Sequence, residues 1–271
     1  MKNQLSKINN SPIGIFDSGL GGLTVLHELK KILPNEEYIY FGDTAHLPYG
    51  SKSNQNIIEY SKKIVQFLLS KNVKAIIIAC NSASSVAIDV IRSMTNLPIF
   101  EVVTPAILNA IKKTQTNHIG IIGTHTTINS QIYKNKIENI NAEITTMQTA
   151  SPLLVPIIEE GLENTTIAHA VVKLYLNPML QSNIDTIILG CTHYPIISNM
   201  IKTVISDKMK LISSGQPLAK TLATYLEKNE CLNKNSNPST CFYVSDSPEK
   251  FKKLGSKFLN DEILNIQVCE L

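Results

Sequence analysis

Arginine is almost missing from this chain: Arg92 is the single copy, although Lys and Arg together number 25. Without a guanidinium cluster there is no bidentate reader of base edges or phosphates, so nucleic acid is not an expected partner. An acidic ligand would have to be held by backbone N–H groups, hydroxyls, amides or lysine. Long apolar runs are also lacking. No stretch approaches the roughly 18 residues of a membrane span, and the first ten residues carry no apolar leader core. The cysteines, at 80, 191, 231, 241 and 269, are odd in number and show neither CxxC pairs nor metal-type spacing, which points to reduced thiols in a cytoplasm rather than to disulfides or zinc. A nucleotide loop is not made either. Asp17-Ser-Gly-Leu-Gly-Gly22 begins as G-x-G, but the third glycine position falls on Thr24 and no G-K-[ST] follows.

What is present is an internal echo. Asn72-Val-Lys-Ala-Ile-Ile-Ile-Ala-Cys80 matches Asn183-Ile-Asp-Thr-Ile-Ile-Leu-Gly-Cys191 position by position in polarity, with a cysteine ending each copy. A fainter pair, Ile13-Gly-Ile-Phe-Asp-Ser18 and Ile119-Gly-Ile-Ile-Gly-Thr124, ends each time in two small or polar residues. In 271 residues such a repeat favours two related lobes over one large core. Apolar runs of strand length alternate with stretches of helical periodicity along most of the chain, which predicts an α/β fold: two pseudo-symmetric lobes, each a mostly parallel sheet flanked by helices, with function at the carboxyl ends of the strands. Helices are expected from Ser82 to about Thr95, from Thr126 to Asn139 and from Thr165 to about Leu176, the last checked near Pro178. A strand is expected from Ile99 to Val103, with Thr104 and Pro105 as N-cap and first residue of the next helix.

Each echoed cysteine follows a buried strand and precedes a helix start. A single free cysteine in such a place is most often a small packing hydrophobe. Two matched ones, flanked by Asn81-Ser82 and by Thr192-His193, suggest two bases facing each other across one carbon. Asp17 stands where it can exchange a proton or bind an ammonium, or merely close an Asx turn. Glu159 reads by default as a solvated helix carboxylate, and His193 as either a packing or a functional imidazole.

The segments GIFDSGLGGLTVL, FGDTAHLPYGSKS, ACNSAS, VPIIEEG and LGCTHYP together resemble the glutamate racemases of the aspartate/glutamate racemase family. The resemblance covers Ile13 to about Gln216. It implies an isomerase without cofactor or metal that interconverts L- and D-glutamate by 1,1-proton transfer and supplies D-glutamate for peptidoglycan of the cell wall. By the same resemblance Cys80 and Cys191 are the two bases, assisted by Asp17, His193 and Glu159. Asp17, Ser18, Tyr49, Gly50, Asn81, Ser82, Thr192 and His193 then contact the substrate. Ser82 replaces the family's usual threonine, and Ser151-Pro-Leu-Leu its more usual Cys-Pro-x-Phe. The family also implies a C-terminal segment that returns to the first lobe, which gives lobe boundaries of residues 1–98 with 213–271 and residues 99–212, the site lying between them. The expected partner is a small molecule, with no nucleic acid and no membrane, and a homodimer is left open. The rival activities are aspartate racemisation, for which relatives resemble Gly-Cys-Thr-Glu rather than Gly-Cys-Thr-His at 190–193, and amino-acid binding without chemistry.

Overall fold

Strand formation follows the densest β-branched runs. The computed structural model describes residues 10–207 and 209–271. Within it, β1 (Ile13–Asp17), β2 (Tyr38–Gly42), β3 (Ala75–Ile78) and β7 (Thr186–Gly190) are buried along their whole length, as expected of parallel strands covered on both faces. The first sheet has six strands in the order β10-β9-β2-β1-β3-β4, where β4 is Ile99–Glu101, β9 Thr240–Val244 and β10 Ile266–Val268. The second has four, β6-β5-β7-β8, with β5 at His118–Gly123, β6 at Thr145–Ala150 and β8 at Lys210–Ile212. Every pairing is parallel.

The echo in the sequence is an echo in topology. The block β2-β1-β3-β4 has the same order as β6-β5-β7-β8. The register repeats too: Ile13 lies opposite Ala75, and their counterparts Ile119 and Thr186 lie opposite each other. The strands β9 and β10 extend the first sheet alone.

Helices fill the connections: α1 (Leu23–Ile32), α2 (Asn54–Ser70), α3 (Asn81–Val86), α4 (Ile88–Met94), α5 (Val103–Lys113), α6 (His125–Asn129), α7 (Ile132–Ile140), α8 (Leu154–Glu159), α9 (Thr166–Leu180), α10 (Ser198–Val204), α11 (Gly215–Lys228) and α12 (Pro248–Leu259). In α2, Ser53 caps the first turn by accepting from the Asn56 N–H, and Ile57, Ile64, Val65 and Leu68 form the buried stripe. No helix among the described residues is long and apolar enough to cross a membrane.

Several sequence expectations are corrected. The boundary after residue 98 falls inside the first sheet, because β4 pairs with β3 through Ile76–Ile99 to Ile78–Glu101. The strand also stops at Glu101 and not Val103, and α5 is capped by the Glu101 carboxylate rather than by Thr104. That carboxylate accepts from the Val103 N–H and, at 3.0 Å, from the Thr104 N–H, a placement the helix dipole favours. The helix expected over residues 126–139 is two, α6 and α7, separated by Gln131 in the left-handed region at φ 56. Its side chain is tied on both sides, donating to the Ile128 carbonyl at 2.7 Å and accepting from Gln148 at 3.0 Å, which offsets the cost of the conformation. The helix from Ser82 likewise breaks at Ala87. Conversely α9 runs through Pro178 to Leu180. The carbonyl that Pro178 deprives of its helical donor belongs to Leu174, an exposed residue of the helix.

Candidate active site

The carboxyl ends of β1, β3, β5 and β7 face one another, and a cavity of about 20 Å³ lies between them. Its wall from the first sheet carries Ser18, Pro48, Tyr49, Gly50, Cys80, Asn81 and Ser82, and its wall from the second carries Thr124, Val155, Cys191, Thr192 and His193. One thiol therefore comes from each echoed strand. Both cysteines are free and buried, at 5% and 6% exposure. Of the residues singled out in the sequence, Asp17 and Glu159 do not line the cavity; each stands behind a residue that does.

The two thiols have different surroundings. Cys80 is the N-cap of α3, and its sulfur accepts from the Ala83 N–H at 3.5 Å. Burial first, then the neighbouring Asp17 carboxylate, pushes the Cys80 thiol up to about 12, while the Ala83 N–H and the Ser18 hydroxyl oppose this. Asp17 ends β1 with no exposed surface. Its Oδ2 accepts from the Gly19 N–H at 2.9 Å and its Oδ1 from the Thr192 hydroxyl at 3.4 Å. Burial raises its carboxyl above the usual range, against the pull of His193 and of those donors. Burial thus works against a negative charge on either group at this end of the cavity.

Cys191 stands 3.9 Å from His193 Nδ1. The other ring nitrogen, Nε2, donates to Glu159 Oε1 at 3.2 Å, and Glu159 Oε2 faces Lys250 Nζ of α12 at 3.4 Å. Burial works against a charged ring, yet the hydrogen bonds to Cys191 and Glu159 raise His193 to about 10. Burial also works against Glu159, whose hydrogen bonds to His193 and ion pair with Lys250 nevertheless hold it below the ordinary carboxylate range. This end of the cavity is arranged as alternating charge leading outward to a half-exposed ammonium.

The glycines of the first loop serve close approach, Gly21 between the two halves and Gly22 within the first. A Cβ on Gly21 would lie 2.5 Å from His193 Nδ1, and one on Gly22 would lie 2.7 Å from Asp17 Cβ. Gly50 makes a similarly tight contact with Thr124. Tyr49, buried behind the loop, donates to Asp43 at 2.5 Å through a carboxylate that also accepts from Ser245 at 2.7 Å.

Sequence reasoning missed Thr124, Val155 and Pro48 as wall residues. Thr124 had a signal, since it is the echo counterpart of Ser18, and its hydroxyl lies 2.9 Å from that of Ser82. Val155 had none, because nothing in the apolar run Leu154–Ile158 separates a wall residue from a packing one. The arrangement supplies two proton-carrying groups on opposite walls, with hydroxyl and amide donors between them.

A model of the Asp/Glu/Hydantoin racemase family matches residues 13–222. The chain is 42% identical over 262 residues to the glutamate racemase of Neisseria meningitidis serogroup B, covering 96% of this chain and 97% of that one. It is 40% identical over 260 residues to the glutamate racemase of Geobacter metallireducens, covering 96% of each. It superposes on the Francisella tularensis glutamate racemase, solved in complex with D-glutamate, with a TM-score of 0.92 at 40% identity, covering 97% of this chain and 98% of that one. On these grounds the chain belongs to the Asp/Glu/Hydantoin racemase family.

Proposed function

We propose that this protein interconverts L- and D-glutamate without a cofactor, by 1,1-proton transfer between Cys80 and Cys191, and so supplies D-glutamate for peptidoglycan synthesis. The observation that carries the reading is the single small cavity with a buried thiol in each wall. In the L-to-D direction Cys191 takes the α-proton from one face and Cys80 returns a proton to the other. In the reverse direction the roles exchange. His193 is the counter-charge that a thiolate at 191 needs. Asp17 is the proton store beside Cys80. With no arginine near, the substrate carboxylates fall to Asn81, Ser82, Thr124 and Thr192, whose hydroxyls and amide work best in a water-excluded site. The glutamate specificity comes from the named activity of the relatives, and the free thiols suit work in a reducing cytoplasm.

The test is incubation with L-glutamate in D₂O, with no added cofactor, followed by NMR at the α-proton. D-glutamate formed at early times should carry deuterium while the remaining L-glutamate stays protiated. Cys80→Ala and Cys191→Ala should each abolish racemisation in both directions, because each direction needs one residue as base and the other as acid. Normal turnover by either variant would refute the two-thiol mechanism. Faster racemisation of aspartate than of glutamate would refute the substrate.

A further inference from the structure

Tyr133 joins the two half-sites from beneath. It is fully buried in α7, on the side of the second sheet. Its ring lies against Gly190, where a Cβ would come 3.4 Å from ring atom Cε2. Gly190 is the residue before Cys191. The hydroxyl reaches in the other direction, to the residue after Cys80, and bonds Asn81 Oδ1 at 2.6 Å. Burial, reinforced by the Glu101 carboxylate and opposed by the Ser214 hydroxyl, drives the phenol's ionisation above its ordinary range, so near neutral pH the hydroxyl keeps its proton.

Donated to Asn81 Oδ1, as the structure has it, that proton sets the orientation of the amide. If the phenol donates, the amide oxygen must face it, and the amide nitrogen must face away. The nitrogen is buried and has no hydrogen-bond acceptor among the described residues. A buried donor left unmade costs about 1–3 kcal/mol, which a fold does not retain at a packing position without cause. Asn81 is part of the cavity wall, between Cys80 and Ser82. An NH₂ group there is complementary to a carboxylate, whereas the flipped amide would present an oxygen and repel it.

We propose that Tyr133 is a positioning residue that locks Asn81 with its amide NH₂ offered to a substrate carboxylate. The inference rests on the glutamate reading above and deepens it, since it names what fixes the polarity of one subsite. Tyr133 touches no reacting atom; it acts through Asn81.

The experiment is a double-mutant cycle with Tyr133→Phe and Asn81→Ala, read as KM and kcat for both enantiomers. Phenylalanine keeps the ring against Gly190 and removes one oxygen. Tyr133→Phe should raise KM about 10-fold in both directions and lower kcat less than about 3-fold, consistent with one lost orienting hydrogen bond. On the Asn81→Ala background the same change should add less than about 2-fold, because there is no amide left to orient. Asn81→Asp provides an arm that leaves Tyr133 its acceptor: KM should rise at least about 100-fold as a carboxylate replaces the donor. A native KM in Tyr133→Phe, effects that multiply fully in the double variant, or a native KM in Asn81→Asp would each overturn the inference while leaving the racemase reading standing. Absence of glutamate turnover by the unmodified protein would overturn the racemase reading, and this inference with it.

Discussion

Replacing Glu159 by glutamine removes one negative charge from behind His193 and changes almost nothing in shape. In the native protein the carboxylate accepts from His193 Nε2 at 3.2 Å and faces Lys250 Nζ at 3.4 Å. Hydrogen bonds to charged groups contribute roughly 1.5–3 kcal/mol. At about 1.36 kcal/mol per pKa unit, Glu159→Gln should lower His193 from about 10 by about 1–2 units. The sign for stability follows. A histidine raised in the folded state stabilises it fully below the ordinary value of 6.5, and that contribution disappears as pH rises through about 10. In the variant the loss should begin at the same pH and be complete about 1–2 units lower. The same free energy, withdrawn from the transition state, predicts a fall in kcat/KM of about 10- to 100-fold. The two enantiomers have equal free energies, so kcat/KM must fall by one factor in both directions, and any asymmetry between the thiols shows only in kcat. The assay is NMR titration of the His193 ring in the native and variant proteins, with racemisation rates from circular dichroism. A His193 that titrates at the same pH in both would refute the coupling, whatever the rates do.

Gly21→Ala would put a Cβ 2.5 Å from His193 Nδ1, forcing the halves apart by roughly 1 Å; a displacement of that size costs about 100-fold in kcat, and full activity measured by circular dichroism would contradict the contact. Asp17→Asn should abolish racemisation and yet stabilise the fold near neutral pH. Burial raises the Asp17 carboxyl, so the penalty for its charge is absent below the unfolded value of 3.8 and grows as pH rises toward the folded value, by about 1.36 kcal/mol for each pH unit between the two. Thermal melts across pH should therefore show the variant's advantage appearing only on the alkaline side, and an advantage greatest in acid would be the wrong sign.

The repeat was legible because Ile76–Ile78 and Ile187–Leu189 sit in the centres of their sheets, where burial on both faces leaves a continuous apolar run. The two thiols and the Thr192-His193 pair were legible because they follow directly from those runs, and Asp17 because it ends the run Ile13–Phe16. What could not be read is whatever depends on pairing at a distance. The edge strand β4 has Ile99 and Phe100 only half buried, and nothing local assigns it to one sheet or the other. The break at Gln131 requires Gln148, from another strand, to hold it. Glu159 finds its ion-pair partner in Lys250, and Asn81 its hydrogen-bond partner in Tyr133, and neither partner lies in a segment that announces chemistry. Glu101 took the cap position expected of Thr104 because a carboxylate two residues upstream reaches both free N–H groups at once.

The smallness of the cavity bears on how affinity would be read. About 20 Å³ accommodates roughly one water molecule, so an amino acid enters only a form of the protein in which Gly21 and Gly50 have drawn back from His193 and Thr124. Every measured dissociation constant then contains the cost of that separation, and the apparent affinity equals the intrinsic one multiplied by the fraction of molecules already parted. A side chain that props the halves open removes part of the cost without touching the ligand. Gly21→Ala should thus bind glutamate at least as tightly as the native protein while turning it over far more slowly, and its KM, taken alone, would look like an improvement.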